Sequence, residues 1–341
     1  MTAQAAGFSE SQWEDRALDA LAEQGWRPKP GVEIAPGSGE RPGWDDLVIP
    51  GRLLDAMIRL NPTVPTDHLR QAMADILAPK SQDALTENHR MHRFLVEGYR
   101  DLGYVDTDGT EQHPTIRLVS ERPEDNDYLA VNQVRVVSGE HERRFDIVLY
   151  LNGLPVVVFE LKQAGARGAD VASAQRQIET YVRELPMAFR CRVLTVASDG
   201  LFAKYGTPFT PLNHYSPWNV DDSGTPLEIG QTDADGDTAT ATGLDYLIDG
   251  VANVERFAHL IRDFTAYDED EDGLHKRIAK PHQYFAVTNA VGATADAVRS
   301  NGKAGVVWHT QGSGKSMEME LYANRVMRHP RLLNPTIVVI T

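Results

Sequence analysis

The stretch FDIVLYLNGLPVVVFELKQ, residues 145–163, contains two apolar runs that meet at an Asn-Gly dipeptide. Asn-Gly between two apolar runs is a strong signal for a β-hairpin. Each run also carries charged residues that a buried hairpin does not need: Asp146 in the first, and Glu160 and Lys162 in the second. The stretch therefore predicts a central hairpin of a sheet with a charged cluster at one end.

The spacing of these charges predicts a hydrolytic site. Successive side chains of a strand point to opposite faces, so Glu160 and Lys162 project from one side about 7 Å apart, and the hairpin brings Asp146 back beside them. Two carboxylates can hold a Mg²⁺ ion, which activates a bound water and neutralises charge on a phosphate. A neighbouring lysine can position or help to deprotonate that water. The simpler alternative is an exposed ion pair on an edge strand.

Sharing a metal requires Asp146 and Glu160 to lie on the same face. A regular two-residue turn at Asn152-Gly153 would put them on opposite faces. We therefore predict a three-residue loop or a bulge near Asn152 to Pro155, with a positive φ at Gly153 and Pro155 at the irregular place. The two carboxylates should then lie within about 4 to 6 Å of each other, the span that two oxygen ligands of one ion allow.

Composition sets broad limits. The 341 residues, 41% of them hydrophobic, are enough for about two domains. The single cysteine, Cys191, excludes an intrachain disulfide and fits a reducing compartment. The sequence offers neither a secretory leader nor a run of about 20 apolar residues. We therefore expect a soluble, cytoplasmic protein that does not associate with a membrane.

The net charge of −15 argues against nucleic-acid binding at first sight. Between Asp221 and Asp272, however, the chain has 15 acidic residues and only two arginines, so most of the acidity lies in one segment. Residues 221–243, rich in Asp, Gly and Thr, predict an exposed acidic loop, and the run DEDED at 268–272 predicts a second solvated loop. The rest of the chain is nearly neutral and remains compatible with a DNA partner.

The periodicity predicts an α/β protein. Helices are expected from a capping box at Ser9 to Gly25 and near 51–60, 67–78, 83–101 and 170–184. Strands are expected over 115–119, 129–137, 144–151, 155–161 and 192–198. On the helix at 170–184, the segment QIETY places Gln177 and Tyr181 four residues apart on one face.

A second motif, AGVVWHTQGSGKS at 304–316, predicts an apolar strand, a glycine-rich loop and a helix that starts at Lys315. This order is typical of a P-loop, whose backbone N–H groups, lysine and serine hold phosphates and Mg²⁺. The predicted nucleotide contacts are Gly312, Ser313, Gly314, Lys315 and Ser316. The general pattern has a glycine six places before the lysine, where this chain has His309.

These motifs together carry a family resemblance. Asp146, Glu160 and Lys162 resemble the PD-(D/E)xK nuclease superfamily, with Phe145 in place of the proline, and QIETY resembles the Q-x-x-x-Y motif of some of these nucleases. KPHQYFAV, 280–287, resembles the glutamine motif of superfamily-2 helicases. From about residue 80 to 341 the chain resembles the restriction (R, HsdR) subunit of type I restriction–modification enzymes. The segments that carry this resemblance are TENHRMHRFLVEGY, EDNDYLAVNQVRV, RRFDIVLYLNGLPVVVFELK, QRQIETY, SDGLFAKYG, HQYFAV and WHTQGSGKS.

The resemblance implies a restriction-endonuclease-like nuclease domain over 1–250, a mixed sheet flanked by helices, followed by the first part of a RecA-like P-loop motor domain over 251–341. It implies Mg²⁺-dependent DNA cleavage coupled to ATP-dependent translocation. Partner methyltransferase (M) and specificity (S) subunits would recognise the DNA site and bind S-adenosylmethionine.

By residue, the resemblance implies metal ligands at Asp146 and Glu160, with Lys162 as the catalytic base or water-positioning group. Gln177 and Tyr181 would support cleavage. An adenine contact would come from Gln283 in the glutamine motif.

Three questions stay open at this stage. Glu14, Glu87 and His89 are equal candidates for an extra upstream contributor to the nuclease site. A second acidic box and the arginine of a second RecA-like domain do not occur before Thr341, so the chain is expected to stop within the motor domain. The alternatives to a restriction subunit are a helicase–nuclease of a DNA-repair type and a noncatalytic assembly module. Neighbouring genes for M and S subunits, and an Asp146→Ala variant, would distinguish them.

Overall fold

The computed structural model describes residues 8–163, 170–229 and 241–340. The helices are α1 (Glu10–Glu23), α2 (Pro50–Leu60), α3 (Thr66–Leu77), α4 (Ala84–Glu97), α5 (Val171–Glu184), α6 (Gly243–Val251), α7 (Val254–Asp263), α8 (Pro281–Ala297) and α9 (Lys315–Arg328). The strands are β1 (Arg27–Pro30), β2 (Tyr104–Val105), β3 (Glu111–Gln112), β4 (Tyr128–Ser138), β5 (His141–Leu151), β6 (Leu154–Leu161), β7 (Leu194–Ser198), β8 (Ala203–Gly206), β9 (Thr265–Asp270) and β10 (Gly273–Ile278). Residues 230–240 of the expected acidic loop lie outside the described residues.

A six-stranded mixed sheet forms the centre of the molecule, in the order β1-β4-β5-β6-β7-β8. β1 is parallel to β4 and β6 is parallel to β7, whereas the other neighbours are antiparallel. The parallel step from β6 to β7 needs a crossover, which α5 provides. All eight residues of β6 are buried. The α/β fold with a mixed sheet flanked by helices is therefore confirmed.

The sheet has a hydrophobic core on each face. Ile147 and Leu149 of β5 lie in the larger core with side chains of α1, α2 and α4. Val148 and Tyr150 lie in the second core, where Ile178 of α5 packs. The alternation follows from the two-residue period of a strand, and burial on both faces explains why the hairpin sequence is almost continuously apolar.

Local capping sequences start the helices as expected. Ser9 and Gln12 form a reciprocal capping box at α1, in which the Ser9 N–H donates to Gln12 Oε1 at 2.9 Å. Asp170 caps α5 by accepting from the Ser173 N–H at 2.7 Å. The helix expected over 83–101 ends earlier, at Glu97, because the next residue, Gly98, adopts a φ of 78°.

The expected strand at 115–119 and the expected loop at 268–272 are wrong. Residues 115–119 form only one isolated bridge, between Ile116 and Tyr99. The run DEDED is not a loop throughout, because its first three residues end β9 and pair with β10, where Asp268 meets Arg277 at 2.6 Å. Cross-strand charge pairing stabilises an acidic strand whose composition alone predicted a loop.

The apolar segment at 304–308, expected to be a strand, is not one, and the apolar segment at 335–340 does not form a strand either. Trp308 is 87% exposed and Ile340 is 92% exposed. A strand requires a neighbour for its backbone hydrogen bonds, and neither segment is paired with another strand of the described residues. Thr341 lies outside the described residues.

The elements that follow the sheet in the chain, from α6 to β10, pack against the helices that precede it. α6 contacts α1, α7 contacts α4, and β10 also contacts α4. The Trp26 indole donates to the Ala252 carbonyl at 2.6 Å. The division at residue 250 remains a prediction. Among the helices of the described ranges, none is both long enough and apolar enough to span a bilayer.

Candidate nuclease site and adjoining P-loop

A β-bulge sets the register of the central hairpin. Asn152 and Gly153 form a two-residue turn with φ of 50° and 79°, closed by the pair Leu151 and Leu154. The register shifts after Tyr150 pairs with Pro155, so that Val156 has no partner and Leu149 pairs with Val157. The predicted bulge and positive φ at the glycine are thus confirmed. The proline lies next to the irregular residue.

The bulge places Asp146 of β5 opposite Glu160 of β6. Ile147 pairs with Phe159, and continuing that register puts Asp146 opposite Glu160. The Leu161 N–H donates to Asp146 Oδ2 at 2.7 Å, which fixes the aspartate against the end of β6. The separation of the two carboxylates, expected at about 4 to 6 Å, remains a prediction.

Both carboxylates are buried, and this changes their acidity. Asp146 is 7% exposed and Glu160 is 1% exposed. Burial raises the pKa of Asp146 to about 7, although the Leu161 N–H lowers it. Burial also raises the pKa of Glu160 to about 8, and the charge of Asp146 adds to that rise. Strongly shifted neighbouring acids are a common feature of catalytic sites.

Lys162 lies beside the acids, where its Nζ is 2.6 Å from Glu160 Oε1. Burial lowers the pKa of this lysine, but the Glu160 carboxylate outweighs that effect and raises the pKa above its ordinary value. The other Glu160 oxygen, Oε2, is buried without a hydrogen-bond partner in the described residues. The lysine is therefore a cation, and one carboxylate oxygen of its partner is left unsatisfied.

Helix α5 contributes the Q-x-x-x-Y pair. The Gln177 side chain donates to the Tyr181 hydroxyl. Burial raises the pKa of Tyr181, and the negative charges of Glu160 and Asp146 raise it further. The Tyr181 ring also packs edge-on against Phe145, with centroids 5.2 Å apart. The structure thus brings both residues of this motif to the hairpin acids.

Of the three upstream candidates, Glu14 is the one that lies near the hairpin acids. Its charge raises the pKa of Asp146, and burial raises the pKa of Glu14 itself. Glu87 is engaged elsewhere: desolvation raises its pKa, but Arg90 at 2.7 Å and two backbone N–H groups lower it overall. His89 stacks on Tyr267, with ring centroids 4.5 Å apart.

The P-loop residues converge around the start of α9. The helix begins at Lys315, as predicted, after Gly314 with a φ of 87°. Lys315 Nζ donates to the carbonyls of His309 and Thr310 at 3.2 and 3.1 Å, so the loop encircles the lysine. Ser316 is the second residue of the helix and is exposed.

Gln283 contacts the loop directly. Its side-chain amide donates to the carbonyl of Ser313 at 3.2 Å, and its oxygen accepts from the Lys280 N–H at 2.9 Å. Gly314 has a φ of 87°, which favours glycine, whereas an added Cβ would meet only the movable end of the Gln283 side chain, at 2.5 Å. A cleft of about 570 Å³ adjoins the loop, and Gly312, Ser313, Gly314 and Gln283 are among its lining residues. This volume is within the range of small-molecule sites.

Comparison with known proteins gives a match to each of the two parts of the chain described above. A family model described as Type I restriction enzyme R protein N terminus matches residues 7–214. The chain belongs to this family. A second model, described as SWI2/SNF2 ATPase, matches residues 282–341.

Two curated relatives of this R-protein N-terminal chain show the extent of the match. The type I restriction enzyme HindI endonuclease subunit of Haemophilus influenzae is 32% identical over 341 residues, which cover 98% of this chain and 31% of that protein. The putative type I restriction enzyme MjaIXP endonuclease subunit of Methanocaldococcus jannaschii is 26% identical over 343 residues, which cover 96% of this chain and 32% of that protein. The chain thus spans about a third of the length of these relatives.

Sequence reasoning missed one residue of this R-protein site. Gln133 of β4 lies opposite Asp146, yet the ladder omits that pair, and Gln133 adopts a φ of 54°. Its amide donates to Glu14 Oε1 at 2.6 Å. Irregular backbone therefore lies in both strands that flank Asp146. A left-handed glutamine inside an otherwise regular strand has no composition signal that could have revealed it.

Proposed function

We propose that this chain supplies the DNA-cleaving centre of the R subunit of a type I restriction enzyme. The enzyme hydrolyses phosphodiester bonds with Mg²⁺ and couples cleavage to ATP-dependent translocation. The observation that carries the proposal is the bulge at Val156. Because it shifts the register of the hairpin, Asp146 and Glu160 lie opposite each other, beside Lys162. Desolvated neighbouring carboxylates destabilise a fold, so a catalytic role gives a reason for their presence.

The residues fit a divalent cation. Glu160 Oε2 is buried and has no hydrogen-bond partner in the described part of the chain, and a cation would satisfy it. Burial raises the pKa values of Asp146 and Glu160 despite the charge of Lys162, and a metal ion would lower both values. Asp146 and Glu160 are the proposed ligands. When bound, Mg²⁺ would lower the pKa of an attacking water and neutralise negative charge at the phosphate.

Lys162 is the proposed water-positioning group. Its ammonium is held by Glu160 Oε1 at 2.6 Å, and its raised pKa keeps it protonated at neutral pH. A fixed ammonium can donate hydrogen bonds to a water or to a phosphate oxygen as negative charge develops. This state favours positioning and charge stabilisation over direct proton abstraction by the lysine.

Gln177 and Tyr181 are proposed to support the site from α5. The glutamine donates to the tyrosine hydroxyl, which leaves the hydroxyl proton free to point toward the acids or toward substrate. The raised pKa of Tyr181 keeps the phenol neutral and therefore a donor.

Glu14 is proposed as the upstream acid that completes the set. Gln133 holds one of its oxygens at 2.6 Å, and its charge acts on Asp146. An exposed cation, Arg144, lowers the pKa of Glu14. Within the described residues no hydrogen bond or ion pair engages the Arg144 side chain, so it is available to a DNA phosphate.

The second half of the chain is proposed to bind ATP. Gly312, Ser313, Gly314, Lys315 and Ser316 would hold the phosphates and their Mg²⁺. The Gln283 side chain donates a hydrogen bond to the loop backbone in this structure. When ATP binds, it would exchange that bond for one to the adenine. The proposed partners are DNA and the M and S subunits of the complex, with S-adenosylmethionine bound by those subunits, and the proposed compartment is the cytoplasm.

Cleavage of site-containing circular DNA by the complete R subunit, assembled with M and S subunits, tests the proposal. Asp146→Asn and Glu160→Gln keep the shape of each side chain but remove its charge, so cleavage should fall by at least about a hundredfold while ATP hydrolysis persists. Glu142→Gln is the matched control, because Glu142 lies on the same strand as Asp146 and pairs with Arg135 at 2.7 Å on the surface.

Three outcomes would contradict this proposal. Wild-type activity in Asp146→Asn would favour the noncatalytic assembly module. Efficient cleavage that needs no M or S subunit would favour a helicase–nuclease of the repair type. Cutting that proceeds equally well without ATP would separate cleavage from the motor.

A further inference from the structure

Three metal-ligating side chains converge beside the P-loop. His282 lies in the first turn of α8, His309 precedes the loop, and Glu318 lies in the first turn of α9. One ligand atom from each lies within 4.8 Å of the other two. Across residues 8–163, 170–229 and 241–340 this is the one group of three such residues at this spacing.

The contacts within this histidine–histidine–glutamate cluster are close. His309 Nδ1 is 2.7 Å from Glu318 Oε1, and His282 Nε2 is 3.9 Å from the same oxygen. The two imidazole rings lie 5.3 Å apart. The Glu318 side chain is only 8% exposed, whereas that of His282 is 41% exposed and free to adjust.

We propose that this cluster binds a single transition-metal ion of the Zn²⁺ class. Two imidazole nitrogens and one carboxylate oxygen match the ligands that Zn²⁺ and Co²⁺ prefer, whereas Mg²⁺ and Ca²⁺ prefer oxygen ligands. Bonds of roughly 2.0–2.2 Å need the ligand atoms slightly further apart than the present 2.7 Å and slightly closer than 3.9 Å. Small side-chain rotations accomplish both changes, and the fourth position stays open to water or an anion.

Metal binding would replace existing hydrogen bonds rather than create buried charge. His282 Nε2 lies 3.1 Å from the Ser313 carbonyl, and His309 Nδ1 lies 2.7 Å from Glu318 Oε1. In the bound state the ion takes the place of these protons, as is usual when a histidine site is filled. Glu318 supplies one negative charge to offset the ion.

The position of the cluster gives the ion a structural consequence. His309 stands where the general P-loop pattern has glycine, and its carbonyl already accepts from Lys315 at 3.2 Å. A bound ion would tie the start of α8, the loop and the start of α9 to one point. The loop that carries Gly312 would then be held in one conformation. The cluster shares no residue with the nuclease site, so this proposal does not depend on DNA cleavage.

Cobalt titration of the full chain, stripped with a chelator and free of nucleotide, tests the site. The wild-type protein should bind one equivalent of Co²⁺ that gives the visible absorption of a low-symmetry, four-coordinate ion, and Zn²⁺ should displace it. Any Co²⁺ at the nuclease carboxylates, which offer oxygen ligands, should absorb far more weakly. His282→Ala and Glu318→Gln should each weaken binding by at least about tenfold, since losing a ligand costs no less than losing an outer-shell partner.

The matched control is His275→Ala. His275 forms a histidine–carboxylate pair with Asp270 at 2.9 Å, as His309 does with Glu318, but this pair is not part of any such three-residue group of the described residues. The control should bind Co²⁺ as the wild type does. The proposal fails if the wild type shows no such absorption, or if both His282→Ala and Glu318→Gln retain wild-type affinity. Circular dichroism establishes that each variant is folded, and the two variants provide independent tests.

Discussion

Asp146 accepts a hydrogen bond from the backbone N–H of Leu161, with 2.7 Å between Oδ2 and the nitrogen. The bond joins the middle of β5 to the residue directly after Glu160. It is possible only because the bulge at Val156 shifts the register of the hairpin by one residue. The position of the proposed metal ligands therefore depends on an irregularity about four residues away.

The hairpin turn should be intolerant of a side chain. A Cβ at Gly153 would lie 2.4 Å from the Ile49 carbonyl, and the φ of 79° adds strain. Gly153→Ala should lower the free energy of unfolding by at least about 2 kcal/mol. Gly139→Ala is the control, because Gly139 has a φ of 59° but open space around it, and it should cost only about 1 kcal/mol. Urea unfolding measures both, and equal losses would contradict the steric argument.

Glu160 should make stability depend on pH in the absence of metal. Its pKa rises from 4.5 in the unfolded chain to about 8 in the folded protein, so the folded state binds more protons between these values. This contribution to stability is complete below about pH 4.5 and is lost as the pH rises to about 8. Glu160→Gln should reduce the slope, although Asp146, with a pKa of about 7, retains part of it.

Urea unfolding across that pH range, in the presence of a chelator, tests this dependence of stability on pH. Glu142→Gln should keep the wild-type slope, because Glu142 is exposed. Added Mg²⁺ should stabilise the wild-type protein near the upper end of the range and stabilise Glu160→Gln less. An unchanged slope in Glu160→Gln would mean that burial does not raise the pKa of this group.

Glu14→Gln should slow cleavage and raise the Mg²⁺ concentration needed for half-maximal activity, because Gln133 fixes this buried carboxylate at 2.6 Å as a proposed part of the site. Glu10→Gln provides the control, since the charge of Glu10 also acts on Asp146 from the same helix but the residue is exposed. Metal titrations of DNA cleavage by the assembled enzyme measure the difference. Identical Mg²⁺ dependence in the two variants would remove Glu14 from the site.

Tyr181→Phe should reduce the cleavage rate by about tenfold with a small change in stability, because the ring keeps its packing on Phe145 while the hydroxyl is lost. Tyr215→Phe is a matched control that loses a buried hydroxyl bonded to Thr195 at 2.5 Å. Single-turnover cleavage separates the two variants. A wild-type rate for Tyr181→Phe would leave α5 with a structural role only.

Lys315→Ala should weaken ATP binding by at least about tenfold, because the lysine is the cation closest to the expected phosphates. ATP-dependent cleavage should be lost with it. Lys303→Ala, an exposed lysine before the loop, should bind ATP normally. Binding of a fluorescent ATP analogue provides the measurement, and cleavage that still depends on ATP in Lys315→Ala would contradict the coupling.

Much of this protein follows from its sequence alone. The Asn-Gly dipeptide and two apolar runs specify the hairpin, and the capping residue Asp170 specifies the start of α5. Glu160 and Lys162 are two residues apart on one strand, so their proximity is a local property. The helix that begins at Lys315 was likewise predicted from its glycine-rich loop. These features depend on turn chemistry and periodicity, which act over a few residues.

Tertiary structure decided what depends on distant partners. The sequence required either a longer loop or a bulge, and packing against the sheet selected a bulge at Val156. The sequence alone also could not choose between Glu14 and Glu87, because only the folding of the chain brings α1 close to the hairpin. The acidic run at 268–272 gained strand structure from the basic β10, whereas the apolar run at 304–308 has no strand partner among the described residues. Strand pairing is non-local, so local sequence predicts the potential for a strand and its neighbours decide whether it forms.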